Sequence, residues 1–89
     1  MEAREKETIR VRLMLIEALL VQAVATPYVT RARQDPDFDA VGTMRTDVVD
    51  WFDILAGQEA YDEHILGREG TRLLGAIQQH VEQRLKRWR

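Results

Sequence analysis

Ile9, Leu13, Ile16, Leu20, Ala23 and Pro27 follow one another at spacings of four, three, four, three and four, the period of one face of an α-helix. Beside that row runs a second, Met14, Ala18, Val21 and Ala25, with Leu15 and Leu19 on its flank. The apolar surface therefore reaches well beyond the stripe of an ordinary surface helix. A helix of this kind has to be covered on most sides, by its own chain or by a second one. The seam predicts a helix from near Ala3 to just before Pro27, with Leu13, Ile16, Leu20 and Val24 in the shared core of a homodimer. Pairing is in any case the usual remedy for the modest core that 89 residues can bury.

The rest of the chain reads as further helix. Thr26 before Pro27 is a start signal and predicts a short helix over Pro27 to Gln34. Asp35 and Pro36 repeat that signal. From there Phe38, Val41, Met44, Val48, Phe52 and Leu55 step by three and four; Gly42 weakens the first turn, Thr43 offers a later cap, and Gly57 ends the segment. Gln58 to Leu66 has the spacing of one short helix with Tyr61 and Ile65 inside, before Gly67 and Gly70 bracket a turn. Leu74, Ile77, Val81, Leu85 and Trp88 form a last seam from about Thr71, with Gly75 and Ala76 small enough for another helix to approach. No strand pattern or repeat interrupts this. The expected fold is all-α: a single domain over residues 1–89, a bundle of four to five helices with long N- and C-terminal helices, paired as a dimer.

Composition removes whole classes of chemistry. The chain has no serine, cysteine or asparagine and only two histidines. That excludes a Ser-His-Asp hydrolase, a serine-borne prosthetic group, a thiol nucleophile, a disulfide and a cysteine metal site. Threonine, tyrosine, lysine and the carboxylates remain, none at a spacing that pairs it with a base, so no catalytic residue and no cofactor is expected. Eleven arginines against two lysines suggest a GC-rich bacterial or phage genome. The opening Glu2, Arg4, Glu5, Lys6, Glu7 is unlike the start of a secretory signal, and Leu13 to Ala25 is too short to span a bilayer, so a cytoplasmic protein without membrane contact is expected.

Charge is segregated along the chain. Residues 1–34 carry a net +2, residues 35–63 a net −8 and residues 64–89 a net +4. The plainer meaning is that the middle helices lie beside the terminal ones and exchange surface ion pairs. The functional meaning is a partner surface: Asp47, Asp50 and Asp53 stand three apart beside Trp51, with Glu59, Asp62 and Glu63 close behind. Carboxylates around a tryptophan are the makings of a protein-interaction hot spot that steers a basic partner. Asp47, Asp50, Trp51, Asp53 and Glu63 are the expected partner-binding residues.

Other motifs fail on inspection. Asp35, Asp37 and Asp39 begin like a calcium loop, but Ala40 stands where glycine is needed and Thr46 where the bidentate glutamate belongs, which leaves helix capping for Asp35. Tyr61 stands where a di-metal bundle would place the glutamate before His64, and His80 sits among glutamines as a solvent-facing or dimer-contacting residue. No metal is expected. Gly70 and Gly75 have phosphate-loop spacing without the lysine and hydroxyl residue that follow in such loops. Arg84, Lys86, Arg87 and Arg89 suit a helix C-terminus, with Trp88 closing the core, or else, from both copies of a dimer, the contact surface of a nucleic-acid-associated regulator. Arg10, Arg12, Arg31, Arg33 and Arg45 would have to converge across a dimer to form an anionic-substrate cleft of an enzyme. The leading expectation is a non-enzymatic regulator, adaptor or inhibitor that binds another protein.

Overall fold

The computed structural model describes residues 2–58 and 63–88. They form three helices, α1 (Glu2–Gln34), α2 (Ala40–Gln58) and α3 (Glu63–Trp88). The fold is all-α with long outer helices, but three elements among the described residues replace the four or five expected.

Two misplaced boundaries account for the difference. Pro27 lies inside α1, so the short helix over Pro27 to Gln34 is simply its continuation. Proline withdraws one N–H from the ladder and frees the carbonyl four residues back. Ala23 and Pro27 are both exposed, so water can serve that carbonyl, while burial of Ala25, Tyr28 and Val29 holds the backbone helical on either side. Thr26 does not start a new helix; its hydroxyl donates back to the Gln22 carbonyl at 2.7 Å. At the other boundary, Gly67 and Gly70 lie within α3 and neither takes a positive φ. No turn separates them, and the last helix begins at Glu63 rather than near Thr71. Of the short helix expected over Gln58 to Leu66, residues 59–62 lie outside the described residues.

The α1–α2 connection is a tight polar turn. The Asp37 amide donates to Asp35 Oδ1 at 3.0 Å, so Asp35 orders the loop instead of capping a helix. Asp39 caps α2, its Oδ1 accepting the Gly42 amide at 2.9 Å. α2 accordingly starts at Ala40, between the two starts expected at Phe38 and Thr43, and runs one residue past Gly57.

Cross-helix contacts give the topology. Glu17 meets Arg72 and Thr26 meets Arg84, so α1 and α3 run parallel. Arg45 donates to Gln78 and Phe52 lies against Gly70, so α2 returns antiparallel to α3. The core is drawn from Val21, Ala25, Tyr28 and Val29 of α1, Ala40, Met44 and Val48 of α2, and Leu74, Ile77 and Val81 of α3. Gly70 is the small residue that admits a neighbour: a β-carbon there would stand 3.3 Å from Phe52 Cδ2. Gly75, expected to do this, faces open space. Trp88, expected to close the core, is more than half exposed beside Ala32, Pro36, Phe38 and Leu85.

The core occupies only the second half of α1. A 33-residue helix is about 50 Å long at 1.5 Å per residue, close to the 51 Å length of the whole molecule. From Glu2 to Leu20 every residue is exposed except Glu17, which is half-buried.

Candidate functional site

The seam that defines the first helix in the sequence turns away from the bundle. Ile9 is 55% exposed, Leu13 60%, Ile16 56% and Leu20 46%. The bundle instead uses the row of smaller residues, burying Val21 and Ala25 together with Tyr28 and Val29. Small side chains let α2 and α3 approach the α1 backbone, and the bulky row is left outward. Of the four residues expected in a dimer core, Val24 alone packs partly against the chain's own core. Among the described residues Leu13, Ile16 and Leu20 are left about half or more exposed.

The outward row does not end at Leu20. Ala23, Val24, Pro27 and Tyr28 line a shallow, almost wholly apolar groove whose far wall is Trp51 of α2. Trp51 is 47% exposed, while its neighbour Phe52 turns inward onto the core. The helix period forces this division, because adjacent residues point about 100° apart. The outward row of α1 and Trp51, separate in the sequence, thus meet along one side of the molecule.

The acidic residues do not stay together. Tyr28 Oη donates to Asp47 Oδ2 at 2.7 Å, so Asp47 serves the α1–α2 contact. Burial, and then this carboxylate, push the Tyr28 phenol up to about 12. Asp50 is exposed on the outer surface of α2. Asp53 lines a different groove, about 350 Å³, between α2 and α3 with Val49, Phe52 and Gly70 among its walls. Residues three apart drift about 60° around a helix, so two such steps carry Asp53 away from Asp47. Glu63 begins α3, but its side chain, like Glu59 and Asp62, lies outside the described residues.

The ion pairs run elsewhere than the charge segregation suggests. Among the described residues both are made by Arg72, to Glu17 at 2.6 Å and to Glu69 at 2.8 Å. Neither joins the acidic middle to a basic flank. The Arg72 hydrogen bond, with a lesser contribution from its charge, holds the Glu17 carboxyl below the usual range against the opposing effect of desolvation. This pair pins α1 to α3 where the free half of α1 begins.

The alternative sites are dispersed. Arg31 stacks over the Phe38 ring at 4.5 Å and Arg45 donates to Gln78, while Arg10 and Arg12 are exposed on the free half of α1. They form no common cleft. Arg84 is drawn inward to Thr26 Oγ1 at 2.8 Å, which thins the basic end of α3, and Arg89 lies outside the described residues. His80, expected at the surface, is half-buried along the α1–α3 groove, its Nε2 buried without a hydrogen-bond partner. Among the described residues no three His, Asp or Glu side chains are grouped to hold a metal ion.

α1 also contains an 18-residue window of mean hydropathy 1.6, long and apolar enough to cross a membrane by length and composition, with 22% of the window buried. Leu13 to Ala25 alone is too short for this, and the unbroken helix through Pro27 supplies the extra length. No family model matches the chain, and no curated protein or solved structure matches it either.

Proposed function

We propose that this is a non-enzymatic, cytoplasmic protein-interaction protein of bacterial or phage origin, acting as a regulator, adaptor or inhibitor. It self-associates through the outward face of α1, with a homodimer the smallest form, and presents Trp51 and Asp50 to a further protein. The observation that carries this reading is the exposed first half of α1, with Ile9, Leu13, Ile16, Leu20 and Leu19 all open to solvent. Leu13 to Leu20 is apolar at every position but Glu17, and an exposed stretch of this kind marks a surface that a partner covers.

A protein partner fits α1 better than a lipid one. Its apolar window includes Glu17, ion-paired to Arg72, and Val21 and Ala25, which α2 and α3 cover. Burying the window in a bilayer would break that pair and strip the core.

Light scattering after size exclusion across a wide concentration range tests the self-association: a mass of at least two chains is expected, and the single-chain mass throughout would refute it. For the second surface the expected outcome is that Trp51→Ala with Asp50→Arg abolishes partner capture while helicity and mass persist. Loss of helicity in that variant would make both residues structural and refute the assignment.

A further inference from the structure

The outward row of α1 has the spacing of a coiled-coil seam, which alternates steps of three and four between positions a and d. Leu13, Leu20 and Pro27 take the a positions and Ile9, Ile16 and Ala23 the d positions. On the two flanks, Glu5, Arg12 and Leu19 fall at g, and Arg10, Glu17 and Val24 at e. In a parallel, in-register pair, each g residue faces the e residue five positions on in the other helix. Glu5 of one copy then meets Arg10 of the other, Arg12 meets Glu17, and Leu19 meets Val24. Every flanking position finds its complement.

An antiparallel pair built on Ile9, Leu13, Ile16 and Leu20 brings e against e and g against g. Arg10 then still reaches Glu17, but Arg12 is set against Leu19 and Glu5 loses its cation. Among the described residues Glu5, Arg10 and Arg12 make no ion pair within one copy. Glu17 is already ordered by Arg72 through both oxygens, and a carboxylate has lone pairs left for a second guanidinium.

We propose that α1 joins copies of this chain in a parallel, in-register coiled coil, its register set by Glu5 with Arg10 and Arg12 with Glu17. This rests on the self-association proposed above and adds its direction and register. From Ile9 to Leu20 the seam points away from the body of its own copy, and beyond Leu20 Trp51 of α2 stands beside Ala23 and Pro27 while Val24 packs partly against the core. The seam and the core-facing row of α1 lie about 130° apart around the helix, so α2 and α3 are carried on the outside of the assembly.

The absence of cysteine makes the test clean. In the parallel arrangement the two Ile9 positions are adjacent, so Ile9→Cys should form a covalent dimer with itself on mild oxidation. In the antiparallel arrangement Ile9 lies opposite Leu20, so only a mixture of Ile9→Cys and Leu20→Cys would cross-link. Exposed charges provide a second reading that leaves the bundle untouched: Glu5→Arg should weaken association about tenfold, and Glu5→Arg with Arg10→Glu should restore it. Self-linking of Ile9→Cys together with charge rescue supports the proposal. Associated protein in which Ile9→Cys stays unlinked, or in which the double charge exchange fails to rescue, overturns it while leaving self-association in place. A chain that never exceeds its own mass overturns both.

Discussion

Replacing Leu13 and Leu20 together by alanine should separate association from folding. A Leu→Ala change removes the equivalent of about three methylenes, each contributing about 0.8 kcal/mol when buried. Leu13 and Leu20 are 60% and 46% exposed in the single chain, so about half of that burial is still to be gained on association. This amounts to about 1 kcal/mol per side chain. Two substitutions in each of two copies come to about 4 kcal/mol, which raises the dissociation constant about a thousandfold. The folding of one copy should change by less than about 0.5 kcal/mol, as for other surface substitutions. Light scattering over a dilution series reads the first quantity, and thermal melts followed by circular dichroism at high dilution read the second. Val29→Ala is the control, since Val29 is fully buried; it should cost about 2 kcal/mol of folding. The parent should also lose helical signal on dilution as the first half of α1 frays, and its melting temperature should rise with concentration. The reasoning is refuted if the double variant associates like the parent, or if its dilute melt falls as far as that of Val29→Ala.

Isoleucine at a with leucine at d is the pattern that favours two strands, so exchanging Ile9 and Ile16 for leucine and Leu13 and Leu20 for isoleucine should tighten the pair, read as a lower dissociation constant in light scattering over a dilution series. Gly67→Ala and Gly75→Ala, each with nothing near the added β-carbon, should each raise stability by about 1 kcal/mol in urea titrations. Gly70→Ala should gain less or lose, because its β-carbon meets Phe52 at 3.3 Å, and an equal gain at all three positions would contradict the packing. The Tyr28 phenol rises from 10.0 to about 12 on folding, so its stabilising effect is complete below pH 10 and is lost as pH climbs through 12. Melts across that interval should show a stability step that Tyr28→Phe removes, and persistence of the step in the variant would assign it elsewhere.

Helical class and the inward faces of α2 and α3 were legible because Met44, Val48, Leu74, Ile77 and Val81 repeat at helical spacing and all are buried. The facing of α1 was not legible. Two apolar rows compete there, and periodicity favours the bulkier one, whereas packing selects Val21 and Ala25 because their size lets α2 and α3 come close. Helix boundaries were misplaced where proline and glycine were treated as breakers without regard to burial; Pro27 on an outer face and Gly70 under an aromatic ring both continue a helix. Trp51 and Asp53 stand together by spacing in the sequence, yet the helix carries the two into separate grooves. Nothing in the sequence indicated the Arg72 contact to Glu17, which joins residues 55 apart.

The free half of α1 also bears on the order in which surfaces become available during synthesis. α1 leaves the ribosome before α2 and α3, and at 5–20 residues per second the stretch through the end of α3 takes about three to eleven seconds to follow. Throughout that interval the inward row at Val21 and Ala25 lacks its own complements, but the outward row needs only another copy of the same helix. On the self-association proposed above, neighbouring nascent chains on one message would engage through α1 before any of them has folded, and the bundle would then close around a contact already made.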